Sequence, residues 1–67
     1  RFVYEMAAQN RVRLQLFNMA GQLVRTLVDE VQGAGTWTAT WDGRNDAGVR
    51  QANGVYICEF VEGGQID

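Results

Sequence analysis

The chain has 67 residues, enough for one small domain and near the lower size at which a single core folds without disulfides or metal. Apolar residues make up 46% and charged residues 21%, a composition typical of a folded globular domain. The net charge of −2 comes from six Arg and eight acidic residues, with no run of either sign. Because nucleic acids and anionic membranes are bound by clustered basic charge, we expect neither as a partner. No apolar run approaches about eighteen residues, so we expect no membrane insertion.

The predicted elements are strands, because apolar and polar side chains alternate with a period of two. The clearest case is VRLQLF, in which Val12, Leu14 and Leu16 share one face while Arg13 and Gln15 take the other. The other predicted strands are rich in β-branched and aromatic residues. In chain order, the five predicted strands are RFVYEMA (1–7), VRLQLF (12–17), QLVRTLV (22–28), TWTATW (36–41) and VYICEF (55–60).

Short polar segments containing Gly separate these strands. NMAG (18–21) predicts a tight turn in which Gly21 takes a positive φ, and EGG (62–64) predicts a further hairpin turn. The segments DEVQGAG (29–35), DGRNDAG (42–48) and ANG (52–54) are predicted as loops. Short strands at regular spacing predict a single small antiparallel Ig-like or fibronectin-like β-sandwich over residues 1–67.

A last strand is expected after the EGG turn, yet only Gln65, Ile66 and Asp67 follow it. We therefore expect a fragment of a longer protein whose final strand is missing or supplied by a partner. An unpaired neighbouring strand presents free backbone donors and acceptors to another chain. The expected partners are another protein or a second copy bound through an open sheet edge, the latter giving a homodimer.

The segment WDGRNDAG (41–48) is the densest cluster of polar ligands. A helix-loop-helix calcium loop requires oxygen ligands at alternating positions and a closing Glu at the twelfth. Counted from Asp42, the third position is Arg44 and the twelfth is Asn53, which disfavours calcium. Asp, Asn and Gly are also the residues that β-turns select. We therefore predict a turn and no metal site.

Trp37 and Trp41 lie on one face of the predicted strand 36–41, opposite Thr36, Thr38 and Thr40. Such a pair of indoles is compatible with a stacking platform for sugar rings. Because Trp carries the largest apolar area and Thr suits a solvent face, we favour the interpretation that the Trp face is core.

Catalytic machinery is not expected in this chain. It contains no His, Ser or Lys, so the common arrangements of nucleophile and base cannot be assembled within it. With one cysteine, Cys58, no intrachain disulfide can form, and in the absence of His we expect no zinc site. Cys58 has apolar neighbours on its strand face and is predicted to be buried and inert. We expect no catalytic residue and no cofactor.

Three motifs together resemble a known family. They are NMAGQLVRTL, a turn with Gly before a Val-rich strand; GAGTWTATWDGRNDAG, an alternating strand leading to Trp-Asp-Gly and an acidic loop; and ANGVYICEF, with Gly-Val-Tyr opening a strand. In this order they resemble the Ig-like C-terminal module of the flagellar hook-capping protein FlgD and related modules of secreted bacterial proteins, including type IX secretion sorting domains. The resemblance covers about residues 11–64 and is carried by Gly21, Gly35, Trp41, Asp42, Gly43, Gly48, Gly54 and Tyr56.

The resemblance implies an Ig-like fold without catalytic residues. It places Trp41 and Tyr56 in the core, while Asp42, Gly43, Asn45 and Gly48 shape the loop between strands. It further implies a non-catalytic accessory module of an exported or cell-surface bacterial protein, serving assembly, anchoring or secretion. Two alternatives are a carbohydrate-binding domain using exposed aromatic residues such as Trp37, Trp41 or Phe17, and a fragment of a secreted enzyme whose active site lies elsewhere.

Overall fold

The computed structural model describes residues 1–63, which form five strands in two antiparallel sheets. The predicted all-β antiparallel fold is confirmed. No helix of the described residues is long and apolar enough to cross a membrane. β1 pairs with β4 in one sheet, and β2 lies between β3 and β5 in the other. The strands are β1 (Phe2–Met6), β2 (Asn10–Phe17), β3 (Leu23–Gln32), β4 (Gly35–Ala39) and β5 (Ile57–Glu62).

The core lies between the two sheets and follows the alternation along β2. Val12, Leu14 and Leu16 are at most 2% exposed, as predicted for one face of this strand. Met6 and Ala39 are buried on the other sheet. Each fully buried Val, Leu or Met side chain contributes about 1.5–3 kcal/mol relative to an exposed one.

β3 is longer than predicted because its C-terminal half is held by β2. Asp29 to Gln32 were expected in a loop, but they pair with Asn10 to Arg13, so the sheet ladder overrides their polar composition. Gln32 is buried, and its side chain accepts a hydrogen bond from Tyr4 Oη (2.7 Å) and donates one to Glu30 Oε2 (3.1 Å). This polar contact joins β1 to β3 across the sandwich.

Two β-bulges interrupt the pairing of β3 with β2. The partner of β2 jumps from Val28 to Thr26, and then from Arg25 to Leu23. Bulges bend a strand and increase its twist. Here they fall on the half of β3 that carries Arg25, beside the loop described below.

The connections between strands agree only in part with the predicted turns. In the predicted turn 18–21, Gly21 has φ 81° and donates its amide to Asn18 O (3.0 Å). The link from β3 to β4 is only Gly33 and Ala34, and Gly35 has φ 130°. β4 ends at Ala39, two residues before the end of the predicted strand 36–41. β5 is shifted by two residues relative to the predicted strand 55–60: it begins at Ile57 and ends at Glu62. The rest of the predicted EGG turn after Gly63, and the expected stub Gln65–Asp67, lie outside the described residues.

Candidate functional site

Residues 41–51, here called the polar loop, form a hydrogen-bonded hairpin between β4 and β5. Asn45 N donates to Val49 O (2.9 Å), and Gly48 N donates back to Asn45 O (2.9 Å). Gln51 N donates to Gly43 O (2.7 Å), and Arg44 and Arg50 form an isolated antiparallel bridge. The backbone groups of the loop are thus largely satisfied within the loop itself.

The side chains of Asp42 and Asn45 accept hydrogen bonds from amides of the polar loop itself. Asp42 Oδ1 accepts from Arg44 N (3.0 Å), while Asn45 Oδ1 accepts from Ala47 N (3.0 Å) and Val49 N (2.9 Å). These are Asx turns, in which a short polar side chain replaces a backbone carbonyl. Gly43 and Gly48 have φ 81° and 84°, which other residues adopt at a steric cost.

Arg25 on β3 holds the polar loop against the sheet. Its Nη1 donates to Asp42 Oδ1 (3.2 Å) and to Arg44 O (3.2 Å), and its Nε lies 3.7 Å from Asp46 Oδ1. Sequence reasoning missed Arg25, because its partners are 17 to 21 residues away. The only signal available was an Arg on a strand and a loop rich in acidic and amide groups.

Asp46 attaches the polar loop to the backbone of β3. Its Oδ1 accepts from Thr26 N (3.1 Å), and its own amide donates to Val24 O (3.1 Å). β3 is an edge strand, so these two bonds occupy part of the edge that β2 leaves unpaired. The loop therefore acts as a local cover for one edge of the sheet.

This arrangement accounts for the acidic residues of the polar loop without a ligand. Asp42 and Asp46 each contact Arg25 and at least one backbone amide. Within residues 1–63 no group of three or more His, Cys, Asp or Glu is placed to hold a metal ion. No cavity is found on this part of the chain.

The two tryptophans are both half-buried. Trp37 lies on β4 and its Nε1 donates to Gly33 O (2.8 Å), while Trp41 lies beyond the strand end and donates to Arg44 O (2.8 Å). Trp41 packs edge-on against Tyr56, with ring centroids 4.9 Å apart, and Tyr56 Oη donates to Ala52 O. Trp41 and Tyr56 thus pack against each other at the base of the polar loop. Both are half-buried, so neither lies fully in the core as the resemblance implied.

The prediction that Cys58 is buried is wrong. Cys58 lies opposite Leu16 on the core-facing side of β5, yet it is exposed. β5 has β2 on one side only within residues 1–63, so its inner face lacks the lateral cover that buries Leu16. Partial desolvation of the sulfur still raises the pKa of the Cys58 thiol above its ordinary value.

The FlgD Ig-like domain family model matches residues 3–62 of the chain. The match covers the polar loop and all five strands except Phe2 of β1, and it agrees with the resemblance to the FlgD Ig-like module. The comparison with curated proteins and the comparison with solved structures gave no match.

Proposed function

This chain belongs to the FlgD Ig-like domain family, and on that premise we propose that it is a non-catalytic module of an exported or cell-surface bacterial protein. It serves assembly, anchoring or secretion through contacts with other proteins. The family is one of non-catalytic modules related to flagellar hook assembly, and this membership is the single observation that carries the proposal. A secretion-sorting role, as in type IX systems, is the narrower form of the same proposal.

The contacts of the two acidic residues in the polar loop support a structural role for them rather than a catalytic one. The carboxylates of Asp42 and Asp46 are held by Arg25 and by backbone amides, so they act as structural acceptors in the loop.

The surface supports protein contacts, because large apolar side chains form a row across the three-stranded sheet. Phe17 is paired with Leu23 on one side and with Ile57 on the other. Leu23 and Ile57 are 49% and 50% exposed. Apolar side chains grouped on a sheet face mark protein contacts more often than single scattered ones do.

The proposal is tested in the parent protein by deleting residues 1–67 in frame. We expect the rest of the protein to keep any activity of its own while its export, surface attachment or incorporation into an assembly is lost. The secreted, cell-bound and assembled fractions are measured separately by immunoblotting. Normal distribution of the deleted protein, together with loss of a catalytic activity, would overturn the proposal in favour of an enzyme fragment.

A further inference from the structure

The chain contains one Asn-Gly step, Asn53–Gly54, in the segment that joins the polar loop to β5. β4 ends at Ala39 and β5 begins at Ile57, so neither residue belongs to a named strand. Both residues are exposed. They precede β5, whereas Gly63 follows it, and about 20 Å of strand separates the two ends. The step therefore lies in a solvent-exposed connection, at the end of β5 remote from Gly63.

An Asn side chain followed by Gly is open to attack by the next backbone nitrogen. Bonding of that nitrogen to Asn Cγ closes a five-membered ring, and Gly lacks the Cβ that would obstruct the approach. Within residues 1–63, the side chain of Asn53 makes no hydrogen bond and the Gly54 amide donates none. Both reacting groups are thus free of the contacts that would hold them apart.

The other three asparagines are held by hydrogen bonds. Asn18 Oδ1 accepts from two backbone amides of its turn, and Asn45 Oδ1 accepts from two amides of the polar loop. Asn10 is paired in β2, and its Oδ1 accepts from the next backbone amide (2.9 Å). None of the three is followed by Gly. Asn53 therefore combines the reactive sequence with an unrestrained side chain.

The Asp-Gly step in the polar loop could close the same ring but is restrained. Asp42 Oδ1 accepts from Arg44 N (3.0 Å) and from Arg25 Nη1 (3.2 Å). An ionised carboxylate is also a poorer electrophile than a neutral amide. Reaction is therefore expected at Asn53 before Asp42.

We propose that Asn53–Gly54 is a site of spontaneous deamidation. Gly54 N gives up its proton to hydroxide and bonds to Asn53 Cγ, and the bond from Cγ to the side-chain nitrogen breaks. That nitrogen leaves as ammonia, and the product is a cyclic succinimide. One water then opens the ring. Opening at Cγ gives Asp, and opening at the main-chain carbonyl gives isoaspartate, in which the chain runs through Cγ. The sum is one water consumed and one ammonia released, without oxidation or reduction.

Isoaspartate at this position alters the contacts at the base of the polar loop. It adds one carbon to the backbone between Ala52, whose carbonyl accepts from Tyr56 Oη, and Tyr56 itself. Tyr56 in turn packs against Trp41, with ring centroids 4.9 Å apart. The longer backbone displaces the Ala52 carbonyl from the Tyr56 hydroxyl and loosens this packing. Because the ammonia is lost, the modified fraction increases with the age of the chain.

The test is to incubate the purified 67-residue chain at several pH values and follow the four asparagines with time. Peptides from digestion in acid are analysed by liquid chromatography and mass spectrometry, and isoaspartate is measured by its enzymatic methylation. We expect Asn53 to be modified first, to give both Asp and isoaspartate, and to react faster as pH rises, because Gly54 N must lose its proton. Absence of product at Asn53, or faster reaction at another asparagine, would overturn the proposal.

Gly54→Ala is the variant that isolates the chemistry from the fold. A Cβ at Gly54 meets no atom within 4 Å, and its φ is not positive, so the fold should be kept. The added methyl should nevertheless slow deamidation of Asn53 severalfold. Gly33→Ala, which also has no positive φ and no atom within 4 Å of the added Cβ, should leave the rate unchanged. Equal rates at Asn53 in the parent and in Gly54→Ala would contradict the proposed ring closure.

A second comparison tests the effect on the polar loop. The isoaspartate form, separated by chromatography, should have a Tm about 4–8 °C below that of the parent, as expected for loss of one hydrogen bond in a chain of this size. Asn53→Asp carries the same added charge on a backbone of normal length, so its Tm should stay close to that of the parent. Equal Tm values for the isoaspartate form and Asn53→Asp would refute the proposed displacement of the Ala52 carbonyl.

Discussion

Arg25→Ala is the substitution that best tests how the polar loop is attached to β3. Arg25 contacts Asp42 Oδ1 at 3.2 Å, Asp46 Oδ1 at 3.7 Å and Arg44 O at 3.2 Å. Both carboxylates are 54% exposed, so each ion pair is expected to contribute about 0.2–1 kcal/mol after solvent screening. The bond to the Arg44 carbonyl contributes about 1 kcal/mol net. We therefore expect Arg25→Ala to lower the free energy of unfolding by about 2 kcal/mol.

This loss is large for a domain of this size. At roughly 0.05–0.15 kcal/mol per residue, the whole chain is expected to be stable by about 3–10 kcal/mol. A loss of about 2 kcal/mol corresponds to a fall in Tm of about 8–16 °C. Thermal and urea unfolding followed by circular dichroism measure it. Trp41 emission reports separately on the loop, because its indole donates to the same Arg44 carbonyl that Arg25 binds.

Arg11→Ala is the matched control, because Arg11 makes one ion pair, with Asp29, at 2.6 Å. Both side chains of that pair are about half exposed, so its loss should lower stability by less than about 1 kcal/mol. Hydrogen exchange adds a local test. The amides of Thr26 and Asp46, which join β3 to the loop, should exchange faster in the Arg25 variant than in the Arg11 variant. Equal losses of stability in both variants, with unchanged protection of these amides, would refute the assigned role of Arg25.

Three further predictions concern the core, the loop glycines and the thiol. Leu14→Ala should lower the free energy of unfolding by about 2–5 kcal/mol in urea titrations, because Leu14 is 2% exposed. The control Gln15→Ala removes a half-buried side chain from the opposite face of β2, with one hydrogen bond to Thr26, and should cost only about 1 kcal/mol. Gly48→Ala should cost about 1 kcal/mol because its φ is 84°, whereas Gly54→Ala, without a positive φ, should be close to neutral in the same melt. Desolvation raises the pKa of the Cys58 thiol, so the pH midpoint of its alkylation should be higher in the folded chain than in urea. The neutral thiol therefore stabilises the fold slightly at low pH, and this stabilisation should be lost as the pH rises through the pKa of the folded state. Identical midpoints in both states would contradict this.

The parts of the fold that follow from sequence are those decided by neighbours along the chain. The alternation of Val12, Leu14 and Leu16 predicts β2 and its buried face, and the tight turn at Gly21 follows from the local preference for positive φ. The extra length of β3 does not follow in this way. Asp29 to Gln32 are ordered by their pairing with β2, a contact between segments that no local pattern reveals.

The polar loop also has features that follow from neighbours along the chain and features that depend on distant segments. Asx turns in the polar loop follow from Asp42 and Asn45, whose short side chains bind amides two to four residues away. Arg25 and its contacts depend on how the loop folds back on the sheet, so the sequence alone could not identify it. The error at Cys58 has a similar origin: alternation assigns a side chain to a face of the sheet, but burial also requires a neighbour on each side.

Within residues 1–63, the pairing of β2 with its two neighbours differs in regularity. At β3, two bulges and the polar loop bonded to Val24 and Thr26 interrupt the row of free backbone groups. Bulges and covering loops are the means by which natural sheets prevent pairing with other chains. The β2–β5 ladder runs from Phe17–Ile57 to Val12–Glu62 without a register shift. The polar loop therefore does more than connect β4 to β5: its bonds to Val24 and Thr26 occupy backbone groups of β3 that an added strand would otherwise pair with.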